Sequence, residues 1–259
     1  MKRCLVTGAG IRLGRAMALY LADRGYDVAV HYASSEQSAL DTVAEIQAKG
    51  RRAIALQADL LNEAEVQALL PRATKALGGP ITCLVNNASI FEYDTIASAT
   101  RAGWDRHMES NLRAPFVLTQ AMADQGLQAS TDENGEPIAT GLILNMVDMR
   151  VNKLTPEFMT YTLAKMGLWA LTRTTAQALT PAIRVNAIGP GPTVQGHRQT
   201  AEHFAVQRAN TISGRGANPA DITAALGYFL DAPAVTGQIL CVDGGQHLGW
   251  KTPDVLGPE

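Results

Sequence analysis

Seven short apolar runs, spaced by amphipathic stretches, constrain this 259-residue chain more than any other feature. The runs are Cys4–Val6, Val28–His31, Ala53–Leu56, Ile81–Val85, Leu142–Val147, Ile183–Ile188 and Ile239–Val242. Their apolar character is continuous rather than alternating, as in strands covered on both faces. Between them, helical patterns run over 14–24, 35–49, 63–77, 104–125, 158–179 and 220–230. This alternation predicts one α/β domain over 1–259, a doubly wound parallel sheet of about seven strands with helices on both faces. Ligands in such sheets gather at the carboxyl ends of the strands.

Two segments break the rhythm. Residues 129–140 are polar and rich in turn formers, which predicts a surface loop. Residues 189–216 carry Gly-Pro-Gly-Pro and further glycines. A long irregular segment after a strand end suits a substrate lid, although it also suits a plain connection.

Composition excludes several classes. The net charge is −2 with acids and bases interspersed, so neither nucleic acid nor an anionic membrane is an expected partner. No apolar run approaches the roughly 20 residues of a membrane span. The N-terminus enters a strand within a few residues, leaving no room for a signal peptide. These features read as a soluble cytoplasmic protein. Cys4, Cys83 and Cys241 lack metal-binding spacing and read as small buried hydrophobes, so no metal site is expected.

The chemistry begins at Thr7-Gly8-Ala9-Gly10-Ile11-Arg12-Leu13-Gly14, between the first strand and the first helix. Gly8 permits a tight turn, Gly14 lets helix and strand approach closely, and the helix N-terminus offers N–H groups to a pyrophosphate. An NAD site places an acid at the end of the second strand, but here the run is His31-Tyr32-Ala33-Ser34-Ser35, with Arg12 nearby. That favours a 2′-phosphate, hence NADPH over NADH. The His31 ring itself reads as structural. Asp59, closing the third strand, is a candidate for the adenine amino group or for a helix cap. Tyr161 and Lys165 lie one helical turn apart, where an ammonium can depress a phenol pKa of about 10. Asp148 ends the preceding strand and adds a carboxyl group. Trp104 reads as packing for the helix that carries Asn111.

Together with Asp59-Leu60, Asn86-Asn87-Ala88, Asn111, Gly189-Pro190-Gly191 and Val242-Asp243-Gly244-Gly245, these motifs resemble the short-chain dehydrogenase/reductase family over essentially the whole chain. The resemblance implies a Rossmann-type sheet of order 3-2-1-4-5-6-7, a nicotinamide cofactor and a homotetramer. It makes Tyr161 the acid/base and gives Lys165 the nicotinamide ribose and the lowering of the tyrosine's pKa. Asn111 would hold a water that feeds a proton relay. It also carries Gly8, Leu13, Gly14, Leu60, Asn87, Ala88, Ser89, Pro190 and Gly191 onto the cofactor.

The departures narrow the reading. Arg12 replaces the middle glycine of the turn, and Asp148 replaces the serine thirteen residues before the tyrosine. With Ser89 and Phe91 after Asn87-Ala88, the chain resembles the pteridine reductase branch, which reduces pterins and folates with NADPH. That implies Arg12 on cofactor phosphates and pterin, Phe91 stacking the pterin, and Ser35 on the 2′-phosphate. Ser89, Asp148 and Tyr161 complete the substrate set. Ser34 departs, because the branch commonly has a basic residue there. A carboxylate repels a developing ketone oxyanion but suits proton delivery to a ring nitrogen. The expected function is therefore reduction of a dihydropterin or dihydrofolate. The alternatives are a carbonyl reductase or alcohol dehydrogenase, and a sensor that binds NADP without turnover.

Overall fold

The computed structural model describes residues 2–196 and 198–252. Residue 197, inside the expected lid, and 253–259, at the end of the expected domain, lie outside the described residues. Seven strands form one sheet: β1 (Arg3–Val6), β2 (Asp27–Tyr32), β3 (Ala53–Gln57), β4 (Cys83–Asn86), β5 (Gly141–Met146), β6 (Ile183–Pro190) and β7 (Ile239–Val242). Their order is β3-β2-β1-β4-β5-β6-β7, and every pairing is parallel. Every residue of β5 and all but the last of β2 are buried, which explains their unbroken apolar runs.

Helices cover both faces. On one side α1 (Arg12–Asp23), α2 (Glu36–Ala48) and α8 (Pro219–Asp231) pack through Met17, Leu21, Ile46, Leu226 and Phe229. On the other, α3 (Glu63–Leu77), α5 (Ala114–Ala123) and α6 (Met159–Leu179) pack through Leu69, Leu70, Leu118 and Ala176. The expected helix over 104–125 is longer and interrupted. It runs as α4 (Arg101–Met108), a π turn over Glu109–Arg113 and then α5. Asn111 sits in that π turn, a local widening often found at functional sites. Trp104 is 41% exposed, so the packing role expected for it is corrected. The helix is seated by His107 and Ser110 instead.

Both irregular segments contain more order than expected. The surface loop over 129–140 holds a two-residue antiparallel pairing, Ser130–Thr131 with Pro137–Ile138. The expected lid begins as the end of β6 and contains α7 (Ala201–Ala209).

A buried polar ladder crosses the middle of the sheet. Asn86 Nδ2 donates to Asn145 Oδ1 at 2.8 Å, and Asn145 Nδ2 donates to Thr172 Oγ1 at 2.9 Å. Thr172 in turn donates to the Leu168 carbonyl at 2.8 Å. The ladder ties β4, β5 and α6 together and fixes how α6 lies on the sheet. A buried donor left without a partner costs about 1–3 kcal/mol. Thr172→Val, which strands Asn145 Nδ2, is expected to lower unfolding free energy by about that amount in urea titration. An unchanged stability would show that the ladder is dispensable.

Candidate active site

The site lies along the carboxyl edge of the sheet, where β1, β4 and β5 end. At β1, Gly8 takes φ +62°, and a Cβ built on Gly14 would sit 2.1 Å from the Gly8 carbonyl oxygen. Only glycine lets α1 approach this closely. Thr7 Oγ1 accepts the N–H groups of Asn87 and Ala88, both at 2.9 Å, while Asn87 Nδ2 donates to the Thr7 carbonyl at 2.8 Å. The Asn87-Ala88 motif therefore clasps the glycine turn to the end of β4.

Arg12 occupies the position where the related turn has glycine, and its φ is +53°. A left-handed conformation costs a non-glycine residue about 1–2 kcal/mol. The guanidinium gains partners in return, donating to the carbonyls of Gln195 at 2.7 Å and Val194 at 3.0 Å. Arg12 thus ties the 189–216 segment across the turn. Here it faces these carbonyls rather than an anion.

The His31 ring takes structural partners, in line with the sequence reading. Gly8 N–H donates to His31 Nδ1 at 3.0 Å, so the ring proton is on Nε2, which donates to the Ala58 carbonyl at 3.0 Å. The ring is buried inside the sheet edge, where it joins β1 to the end of β3. Both its nitrogens are engaged, so it has none left for a cofactor. Tyr32 and Ser35 lie further out. Ser35 Oγ is 3.3 Å from a Cβ built on Gly10 and makes no cap for α2, so its hydroxyl lies over the turn. Tyr32 is 3.3 Å from Glu36, to which its hydroxyl donates. Asp59 is exposed and accepts the Leu61 N–H at 3.0 Å, while Asn62 caps α3. The capping alternative for Asp59 is therefore removed. Gly191 N–H donates to the Val242 carbonyl at 3.0 Å, which holds the Pro190-Gly191 corner against β7.

Tyr161, Asp148 and Lys165 meet as the sequence spacing implied. The Tyr161 hydroxyl donates to Asp148 Oδ2 at 2.9 Å, and Asp148 Oδ1 accepts the Arg150 N–H at 2.8 Å. Lys165 is 2% exposed, and its Nζ donates to the Met146 carbonyl at 2.7 Å. The electrostatics differ from the expectation. Burial, then the neighbouring carboxylate, push the Tyr161 phenol well above its usual range, with Arg150 and Ser89 acting the other way. Lys165 Nζ lies 5.6 Å from the Tyr161 ring centroid, and burial with Asp148 dominates the phenol. Burial also raises Asp148, partly offset by its bond from the Arg150 N–H and by Tyr161. Burial lowers Lys165 to about 8, against the pull of Asp148. A raised acid, a raised phenol and a lowered ammonium together make a site poised to exchange protons.

Asn111 is placed beside the pair but its amide is engaged. Oδ1 accepts the Ile90 N–H and Nδ2 donates to the Ile90 carbonyl, both at 2.8 Å. The side chain clamps the loop that carries Ser89 and Phe91.

The sequence reading missed the surroundings of Phe91. This ring stacks on Phe158, with centroids 4.3 Å apart and planes at 9°, and meets Tyr161 edge-on at 4.6 Å. Phe158 has φ +54° at the start of α6, and the Arg150 guanidinium lies 5.1 Å over its ring. Arg198, from the expected lid, lies 5.5 Å over Phe91 and donates to its carbonyl. Two arginines and two phenylalanines therefore line the mouth beside Tyr161. Aromatic and cationic residues scattered over three segments carry no common spacing, so only folding reveals the group.

Comparison with known proteins places the chain in a family. The family model described as enoyl-(acyl carrier protein) reductase matches residues 8–247. The 3-oxoacyl-[acyl-carrier-protein] reductase FabG of Staphylococcus epidermidis is 31% identical over 252 residues, covering 95% of this chain and 99% of that protein. The chain belongs to the short-chain dehydrogenase/reductase family. Among solved structures, FolM alternative dihydrofolate reductase 1 of Brucella suis, in complex with NADP, is 40% identical with a TM-score of 0.90, covering 98% of both chains. The landomycin C-6 ketoreductase LanV, with bound NADP and rabelomycin, is 28% identical with a TM-score of 0.83, covering 96% of this chain and 97% of that one.

The buried His31 also makes stability depend on pH. Burial lowers its pKa from 6.5 to about 4, so the unfolded chain takes up a proton that the folded chain refuses. The contribution is fully present above about pH 6.5 and is lost as pH falls towards 4, amounting to roughly 3 kcal/mol. Urea unfolding at about pH 7 and pH 4.5 should show that fall, with a flatter dependence in His31→Gln. Equal slopes in the two proteins would refute the assignment.

Proposed function

We propose that this protein is an NADPH-dependent reductase of dihydropterins or dihydrofolate, of pteridine reductase type. The observation that carries the reading is the Asp148 carboxyl group, 2.9 Å from the Tyr161 hydroxyl, where a ketone reductase of the family has a hydroxyl donor. An ionised carboxylate there opposes an oxyanion, whereas a carboxyl that shares a proton with a phenol suits a ring nitrogen. Phe91 adds an aromatic wall against Tyr161, suited to a flat heterocycle. The 40% identity to a protein named an alternative dihydrofolate reductase supports the same reading.

The residues at the sheet edge fit NADP(H). Gly8, Arg12, Leu13 and Gly14 form the turn for the pyrophosphate, and Tyr32 and Ser35 lie at the ribose end. Asp59 and Leu60 suit the adenine, Asn87, Ala88 and Ser89 the middle, and Lys165, Tyr161, Pro190 and Gly191 the nicotinamide end. NADH is the poorer fit, since β2 ends without an acid and its first acidic neighbour, Glu36, is held by Tyr32. The bound nicotinamide supplies the hydride. Tyr161 delivers a proton from its hydroxyl to the substrate nitrogen, and the protonated Asp148 carboxyl restores it, the net proton coming from solvent. Arg12 and Ser89 orient the heterocycle, and Asn111 holds the loop that carries Phe91. Residues 189–216 serve as the substrate loop. Exposed Phe116 on α5, with Leu163 and Met166 on α6, supplies surface for the homotetramer that the resemblance implies. Three free cysteines suit a cytoplasmic setting.

A carbonyl reductase is the second reading, favoured by the FabG and ketoreductase relatives. The two part on Asp148→Ser. Pterin turnover, followed as NADPH oxidation with dihydrobiopterin, dihydromonapterin and dihydrofolate, is expected to fall by about 100-fold in this variant. Ketone turnover should rise in the same variant. Wild-type turnover of ketones alone would reverse the order of the two readings.

A further inference from the structure

A buried hydrogen-bonded chain runs behind the Tyr161–Asp148 pair and joins three segments of the fold. Thr160, one residue before Tyr161, donates its hydroxyl to Asp94 Oδ2. Its backbone N–H reaches Asp94 Oδ1 at 3.2 Å, and the Phe158 N–H donates to the Asp94 carbonyl at 2.8 Å. On the other side, His107 Nδ1 lies 2.7 Å from Thr160 Oγ1, and the Glu92 N–H donates to His107 Nε2 at 3.1 Å. Asp94, His107 and Thr160 are 7%, 1% and 2% exposed, so water does not compete for these bonds.

The direction of each bond is determined. A backbone N–H only donates, so Nε2 is the acceptor and the proton of the neutral imidazole sits on Nδ1. The Thr160 hydrogen is engaged by Asp94, so its oxygen accepts from Nδ1–H. Donation runs one way, from Glu92 N–H through His107 and Thr160 to Asp94. A carboxylate alone would cap the start of α6. The histidine and threonine add something a cap does not need. They join α6, which carries Tyr161, to α4 and to the loop that carries Phe91. The rings follow this register, with Tyr161 edge-on to Phe91 at 4.6 Å and to His107 at 6.0 Å.

We propose that Asp94, Thr160 and His107 are positioning residues for the reduction, holding Phe91 and Tyr161 in register only while His107 is neutral with its proton on Nδ1. A proton added at Nε2 points at the Glu92 N–H, and two donors in contact force the Phe91 loop away. The charged and titratable groups facing His107 are Asp94 and Glu92 from the loop, Arg106 from its own helix, and Tyr161 and Lys165 from α6. Burial is the largest influence and lowers the imidazole pKa, against the pull of Asp94 and Glu92. The device therefore holds at neutral pH and fails in acid. It rests on hydride reduction at Tyr161 rather than on a pterin substrate.

Thr160→Val breaks the middle link, and Thr160→Ser keeps it. With dihydrobiopterin and with a ketone as assay substrates, Thr160→Val is expected to lower kcat about tenfold and to change the acid limb of its pH profile. NADPH affinity should stay within about twofold, and Thr160→Ser should recover kcat to within about threefold. A readout independent of turnover is the imidazole ¹⁵N spectrum with NADPH bound. There His107 should be neutral and Nδ1-protonated near neutral pH, and this signature should be lost in Thr160→Val. An Nε2-protonated or cationic His107 would overturn the proposal. So would an unchanged kcat and pH profile in Thr160→Val, a matching loss of NADPH affinity, or a loss that serine does not restore. Failure of the wild type on both substrates would sink the proposed function, while the ¹⁵N spectrum would still decide this one.

Discussion

The seating of α6 on the sheet is the constraint on which the cleft depends, because this one helix carries Phe158, Tyr161 and Lys165. Three polar contacts hold it. Asn145 reaches Thr172 in its middle, Lys165 reaches the Met146 carbonyl, and Asp94 takes the Thr160 N–H and hydroxyl at its start. All lie in buried surroundings, where a lost partner is not replaced by water. Apolar packing alone would tolerate a small slide of a helix, but these directional bonds do not. The geometry of the Tyr161–Asp148 pair follows, since a phenol and a carboxyl 2.9 Å apart tolerate little displacement.

Burial also determines the electrical character of the site. Asp148, Tyr161 and Lys165 all lose solvation, and in each the neutral form gains. Asp148 raises the phenol further, whereas the hydrogen bond from Tyr161 draws the carboxyl group back down. The ammonium is weakened by the same desolvation that raises its two neighbours.

Much of this was legible in the chain itself. The strands, the glycine turn and the Tyr161–Lys165 spacing rest on short-range regularities, whereas the strand order followed from the family resemblance, and the fold has that order. Asp148 stood out because one residue type replaced another at a defined distance from the tyrosine. The structural reading of the His31 ring agrees with its bonds to Gly8 and Ala58. Trp104 was read as packing and stands 41% exposed, because the fold and not the residue type decides which helix face is covered.

The sequence by itself determined the strands, the helices and the spacing of Asp148, Tyr161 and Lys165. Periodicity and spacing are local properties, and a helix or strand expresses them wherever it packs. The tertiary structure alone decided which way the electrostatics run and which side chains stand around the pair. Burial is a property of the whole fold, so only the folded chain shows that desolvation and then Asp148 raise the Tyr161 phenol. Proximity across the fold likewise has no signature in spacing. Phe91, Phe158, Arg150 and Arg198, and the chain from Glu92 to Asp94 through His107 and Thr160, come from separate segments that meet only after the strands have paired.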